Sequence, residues 1–181
     1  MRLRAPALMA FVAFGFLRAE GLPVCLVDRA GLDPITLSAF EKELQSLLPE
    51  GSAILHRAPC DVERPTRSVR LTIRSEPPRQ LPKALGVAYL SATGQVLPIL
   101  DVYLSRLSSY LNWPRTPYVV GRALARVAAH EFGHFLVQDA GHHQDGLMRS
   151  QFPYWLLADP DPTPFRMAAN ARPPFRLLSS R

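Results

Sequence analysis

Apolar and polar positions follow two different rhythms along this chain, and the rhythm switches several times. Leu22–Asp28 is a short, nearly continuous apolar run of strand length. Leu37, Phe40, Leu44, Leu47 and Leu48 then recur three and four residues apart, which predicts an amphipathic helix. Asp33 offers its N-cap, Pro34 takes the first helical position, where a missing N–H costs nothing, and Pro49 and Gly51 stop it. Ala53–Arg57 predicts the next strand. Val69, Leu71 and Ile73 alternate with Arg70, Thr72 and Arg74, the period of a strand with one buried face. Two more strands are expected over Gly86–Leu90 and 99–104, joined through a Thr93-Gly94 turn. A loop through Trp113 and Pro114 follows, closed by Thr116 as N-cap with Pro117 at the first position of a long helix reaching about Gln138. In that helix the stripe Val120, Leu124, Val127 continues through Glu131 and His134, and Ala123, Val127, His130 and His134 form the adjoining row. The inward face thus turns from apolar to chemically active toward its C-terminal end, as when a core helix delivers side chains to a cleft floor. Beyond residue 152, Pro160, Pro162, Pro164, Pro173 and Pro174 break any long helix, and an irregular C-terminal segment is expected over 153–181.

A chain of 181 residues, 48% apolar and 20% charged, fits one globular domain with a proper core. The first residues stand apart. Arg2 and Arg4 precede an apolar run over 5–17, and small residues follow at Ala19 and Gly21, the layout of a secretory signal peptide whose core is too short to span a bilayer. The competing reading is a buried N-terminal helix. With cleavage between Ala19 and Glu20, the segments are a signal peptide over 1–19, a catalytic domain over 20–152 and the proline-rich tail. No stable membrane span remains after signal removal, and the expected location is secreted or periplasmic, in a bacterium.

Export changes the charge picture. The formal +6 includes Arg2, Arg4 and Arg18, so the mature chain carries only about +3. The remaining arginines are scattered, with no basic stripe interleaved with aromatics, which argues against nucleic acid as a partner. Cys25 and Cys60 are the two cysteines. In an oxidising compartment they can form a disulfide; the alternative is a pair of buried thiols. Neither belongs to a Cys-x-x-Cys pair, so a cysteine zinc site is not expected.

Four of the five histidines lie within 130–143. The centre is His130-Glu131-Phe132-Gly133-His134. Residues i and i+4 of a helix share a face, so both imidazoles reach one metal ion, and Glu131 sits beside the open coordination position. Zinc lowers the pKa of its bound water to roughly 7, and a neighbouring carboxylate takes the proton as that water attacks a carbonyl. His-Glu-x-x-His arises by chance in roughly one chain in a hundred. Its place late in an amphipathic helix, the histidines just downstream and the export signal all favour the chemical reading over a solvated, polar helix end. The third ligand is His142 or His143. Asp139 is a candidate to cap the turn or orient a ligand, Asp145 shapes the Asp145-Gly146 turn, and His56 and Tyr154 read as ordinary strand and packing residues.

The stretch 130–148 resembles the zinc-binding region of the metzincin metallopeptidases, in which His-Glu-x-x-His is followed by a glycine, a third histidine and a methionine turn. It is more similar still to a group of uncharacterised bacterial secreted zinc peptidases whose helix ends His-Glu-x-Gly-His, with a histidine eight residues later and then Gly-Ile/Leu-Met-Arg. That pattern matches His130, Glu131, Gly133, His134, His142, Gly146, Leu147, Met148 and Arg149. The resemblance implies an α+β fold with a mixed twisted sheet, one N-terminal helix, a long active-site helix and a methionine turn. It implies His130, His134 and His142 as ligands of one Zn2+ per chain, Glu131 as catalytic base, Met148 as a support beneath the metal, and a peptide or protein substrate bound along Gly86–Leu90 by β-augmentation. The chain departs from the usual metzincin spacing, because Val137 and Ala140 stand where the glycine and third ligand are expected; Gly141 is then the residue available to reverse the chain. The expected activity is metal-dependent peptide hydrolysis. A secreted zinc-binding or interaction module with the same fold and little turnover is the alternative, and the intact Glu131 and the absence of a nearby cysteine ligand favour the enzyme.

Overall fold

The computed structural model describes residues 22–48, 53–57, 60, 68–112 and 115–166. Five strands form one mixed sheet: β1 (Leu22–Asp28), β2 (Ala53–Arg57), β3 (Val69–Arg74), β4 (Gly86–Leu90) and β5 (Val96–Tyr103). Their order is β2-β1-β3-β5-β4. The first four positions pair in parallel, and β4 runs antiparallel along β5 at the edge. The α+β arrangement expected from the sequence is therefore present as a five-stranded mixed sheet with helices.

Register decides which face is the core. Val24 lies opposite Val69, Leu26 opposite Leu71, Leu71 opposite Leu100 and Ile73 opposite Val102, so these apolar side chains share one face. On that face sit α1 (Pro34–Leu47), through Phe40, Leu44 and Leu47, and α3 (Pro117–Val137), all within one apolar core. Each helix starts as its sequence dictates. The Asp33 carboxylate accepts from the N–H groups of Ile35 and Thr36, both at 3.0 Å, and the Thr116 hydroxyl accepts from Val119 N–H. The helices cross at Gly121, where a Cβ would stand 2.8 Å from the Ala39 Cβ and 2.9 Å from the Phe40 nitrogen. Glycine is what lets α3 approach the α1 backbone.

The structure departs from the expected elements in three places. The strand expected over 99–104 begins earlier, at Val96, because the hairpin with β4 pairs Val96 with Leu90, and it ends at Tyr103. Leu104–Tyr110 forms a further helix, α2, which buries Leu107. In the tail, Tyr154–Ala158 forms a short helix, α4, where irregular chain is expected, and a single 3-10 turn covers Thr163–Phe165. Proline is compatible with both, since Pro153 stands at the N-cap and Pro164 lies in the first turn. Tyr154 and Trp155 are 37% and 58% exposed, so they do not fill the core as expected. Residues 153–166 are held instead by Arg126 of α3, a fully buried arginine. Its guanidinium donates to Glu43 of α1 at 2.8 Å, to the carbonyls of Leu156 (2.8 Å) and Asp161 (3.0 Å), and stacks on the Phe165 ring. Cys25 and Cys60 form a disulfide, which settles the two open readings in favour of the bridge. Residues 1–19, the expected signal peptide, lie outside the described residues.

Candidate metal centre

His130 and His134 lie one turn apart near the C-terminal end of α3, and both are buried. Their ring orientation is set by two backbone carbonyls. His130 Nδ1 is 2.7 Å from the Leu147 carbonyl and His134 Nδ1 is 2.7 Å from that of Asp139. A carbonyl only accepts, so each Nδ1 carries the proton and each Nε2 presents a lone pair. Burial also disfavours the charged imidazoles: His130 is pushed down to about 4, opposed by the Leu147 carbonyl, and His134 is lowered, opposed by the Asp139 carbonyl.

The two Nε2 atoms lie 3.1 Å apart. Two lone pairs at that separation repel unless a cation lies between them. Tetrahedral zinc at about 2.0–2.1 Å from each nitrogen sets neighbouring ligands about 3.4 Å apart, close to the spacing found. The exposed His142 completes the group, its ring stacked on His130 at 5.2 Å and edge-on to His134 at 4.9 Å. One ligating atom from each of the three histidines lies within 4.8 Å of the others. The donor set therefore fits a zinc ion. His143 is not in the group. Its N–H donates to the Met148 carbonyl, and it pairs with Arg149 in an isolated bridge. His56 is exposed on β2.

Chain reversal after α3 differs from expectation. Gly141 does not adopt a left-handed conformation; Gln138 does, at φ 53° and ψ 36°, immediately after the last helical residue. Its side-chain amide offsets the strain by donating to the carbonyls of Phe135 (2.8 Å) and Val96 (3.1 Å). Asp139 then orients His134 through its backbone carbonyl, while its carboxylate accepts from Gly141 N–H at 2.7 Å. Gly146 turns the chain at φ 73°, and Leu147 and Met148 are buried in the core.

Glu131 is buried between α3 and the edge strand. A Cβ at Gly86 would stand 2.8 Å from the Glu131 Cγ and Oε1 and from Val127 Cγ1. Burial pushes its carboxyl up to about 8, with the Ala88 N–H pulling the other way. Above it, the Tyr103 N–H donates to Leu85 O at 2.9 Å. Antiparallel ladders alternate, so Gly86 and Ala88 direct their backbone groups away from β5, the Ala88 N–H toward the Glu131 carboxyl. Two cavities meet at the histidines, one of about 330 Å³ toward α2 and one of about 210 Å³ along β4.

The motif spacing anticipates the two helical histidines. It gives no sign of the Leu147 and Asp139 carbonyls or of Phe152, whose ring meets His130 edge-on at 5.4 Å. Gly86 does carry a signal, since a glycine in a strand marks close approach of a neighbour.

No protein-family model matches the sequence, and no curated protein does. Among solved structures the chain is similar to a crystal structure of archaemetzincin from Methanopyrus kandleri, with a TM-score of 0.54 and 16% identity over 84% of this chain and 92% of that one. The likeness is one of fold.

Proposed function

We propose that the chain is a zinc-dependent endopeptidase, in which His130, His134 and His142 hold one zinc ion per chain and Glu131 is the general base. The observation that carries this reading is the convergence of two unprotonated, carbonyl-oriented Nε2 atoms, 3.1 Å apart, beside a buried carboxyl and beneath an open strand edge. The resemblance of 130–148 to metzincins and the archaemetzincin-like fold support it independently. A bound zinc ion supplies a Lewis acid for the scissile carbonyl and lowers the pKa of a coordinated water to roughly 7. With a cation beside it favouring the ionised carboxylate over the effect of burial, Glu131 would accept the proton from the attacking water and return it to the departing amine nitrogen. The Gly86 backbone groups and the Ala88 carbonyl, turned away from β5, hold the substrate as an added strand. Gly146-Leu147-Met148 serves as the methionine turn, with Met148 packed beneath the site.

Arg2, Arg4 and the apolar run that follows support export by a cleaved signal peptide, and the Cys25–Cys60 bridge suits an oxidising compartment. Among the described residues, no helix is long and apolar enough to cross a membrane.

The test is metal analysis and peptide cleavage by the mature chain and by Glu131→Gln. The wild type carries one zinc equivalent and cleaves; the variant keeps the zinc and loses about 10²–10⁴-fold in turnover. Residual turnover within tenfold would move the base role elsewhere. Zinc bound with no cleavage of any peptide would favour a zinc-binding module.

A further inference from the structure

The two cavities that meet at the histidines have opposite character. Both include Gly86, His130, Glu131 and His142 in their walls. The one along β4 continues over Val87, Ala88, Leu90 and Val96, an apolar lining. The other, of about 330 Å³, continues toward Lys83 in the loop before β4 and toward Arg106 and Tyr110 of α2. Arg106 is half-buried, and its Nε lies 3.5 Å from the Lys83 carbonyl at the cavity wall. Neither cation has a carboxylate within ion-pairing distance among the described residues; the pairs formed there are Arg57–Glu41, Arg74–Asp101 and Arg126–Glu43. The remaining polar neighbours, Ser150 and Gln151, are uncharged. Among the described residues Glu131 is the sole carboxyl in the lining, and its side chain is buried against Gly86.

We propose that this cavity is a carboxylate-binding subsite, so that the enzyme selects peptides carrying an acidic group one position to that side of the scissile bond and an apolar side chain on the other. This rests on the peptidase reading above. Arg106 is half-buried and Lys83 is exposed at the rim of the cavity; neither has an anionic partner among the described residues, and a carboxylate supplies one. The Arg106 fork leaves Nη1 and Nη2 for a two-point contact, with the Lys83 ammonium as a second charge. The acidic group is an internal Asp or Glu side chain or a terminal carboxylate; the chemistry is the same, and peptide design separates the two.

The experiment measures binding, by fluorescence anisotropy, of labelled peptides to the zinc-loaded Glu131→Gln chain, which holds them without turnover. Peptides blocked at both ends carry Asp, Glu, Gln or Lys at successive positions; a second series of neutral peptides ends in a free carboxylate or an amide. The expected result is that, at one position, Asp or Glu binds at least about tenfold tighter than Gln, the scale of one charge-assisted hydrogen bond. An advantage confined to the free-acid series instead identifies the terminal carboxylate as the ligand. Arg106→Gln and Lys83→Gln each shrink the advantage, and Arg106→Glu turns it into a preference for Lys, with zinc content unchanged throughout. Equal affinity for acidic and neutral peptides, or an advantage that survives the double Lys83→Gln/Arg106→Gln variant, overturns the subsite and leaves the peptidase reading standing. Failure of every peptide to bind the zinc-loaded chain overturns both.

Discussion

Arg126→Met tests what secures the C-terminal segment beneath the metal site. In the native chain Arg126 is fully buried, and Glu43, its partner at 2.8 Å, keeps 14% of its side-chain surface. Burial, with a smaller push from Arg122, lowers the Arg126 pKa, and the Glu43 carboxylate opposes that. The substitution removes the hydrogen bonds to Glu43 and to the carbonyls of Leu156, Leu157 and Asp161, together with the stacking on Phe165 at 4.4 Å. Methionine fills part of the volume but leaves the Glu43 carboxylate and the Leu157 and Asp161 carbonyls without their donor, while the Leu156 carbonyl keeps the Asp159 N–H. A buried group stranded in this way costs about 1–3 kcal/mol, and breaking one side of a buried ion pair costs about 3–5 kcal/mol. Glu43 and Asp161 lie near enough to the surface to recover some hydration, so about 3–5 kcal/mol in all is expected. For a domain of this size that is roughly 6–20 °C in melting temperature. Urea unfolding and thermal melts of the zinc-loaded chain measure it. The double variant Arg126→Met/Glu43→Leu should recover part of the loss, because it removes the stranded carboxylate as well. A single-variant cost below about 1 kcal/mol, or no recovery in the double variant, would refute the view of Arg126 as an ion-paired clamp. Its effect should also reach the metal, because Phe165 stacks on Phe152 at 5.1 Å and Phe152 meets His130.

Gly121→Ala should destabilise the fold by about 2 kcal/mol in urea unfolding: helix propensity favours alanine by up to about 1 kcal/mol, but its Cβ meets the unyielding backbone of Thr36 and Phe40. A stabilised variant would mean that the helices can separate freely there. Gly86→Ala should keep the zinc and lower turnover about a hundredfold, since its Cβ displaces the Glu131 carboxyl by the order of an ångström; unchanged kinetics would place the base elsewhere. His142→Ala should weaken zinc affinity more than about a hundredfold, beyond the loss typical of groups that only orient ligands, and His143→Ala far less. The reverse order, read by competition with a chelator, would shift the third ligand by one residue.

Side-chain rules with a fixed period made much of this structure legible in the sequence. Asp33-Pro34 and Thr116-Pro117 start their helices at the residues expected, and the alternation in β3 buries Val69, Leu71 and Ile73 as expected, although Thr72 on the other face is buried too. The i, i+4 pair His130 and His134 brings two imidazoles together without help from distant chain. What stayed hidden has a common cause, which is dependence on partners far away in sequence. The spacing of Leu104, Leu107 and Leu111 is helical, but it begins where a strand ends, and only the packed core distinguishes the two. Arg126 looks like a solvated arginine beside Arg122 until Glu43 and the tail close over it. Gln138 adopts the left-handed turn that glycine would ordinarily take, because its own amide bonds to β5. The carbonyls that orient the histidines have no side-chain signature at all.

The loop from Gln138 to Arg149 therefore contributes more to the candidate metal centre than His142 alone. Helix α3 supplies two imidazoles, but an imidazole on a helix still turns about χ1 and χ2. Both rings are fixed by carbonyls from that loop, Asp139 at its start and Leu147 near its end, and His142 stands between them. The loop in turn is held by the Gln138 amide on β5, by His143 N–H to Met148 O, and by the buried side chains of Leu147 and Met148. The metal site thus assembles only when the sheet edge, the helix end and the core beneath Met148 are already in contact. Three imidazoles brought together by an ordered loop are a state that metal binding selects, so binding free energy adds to the stability of that loop. This coupling makes the zinc-loaded chain the right reference for every substitution above.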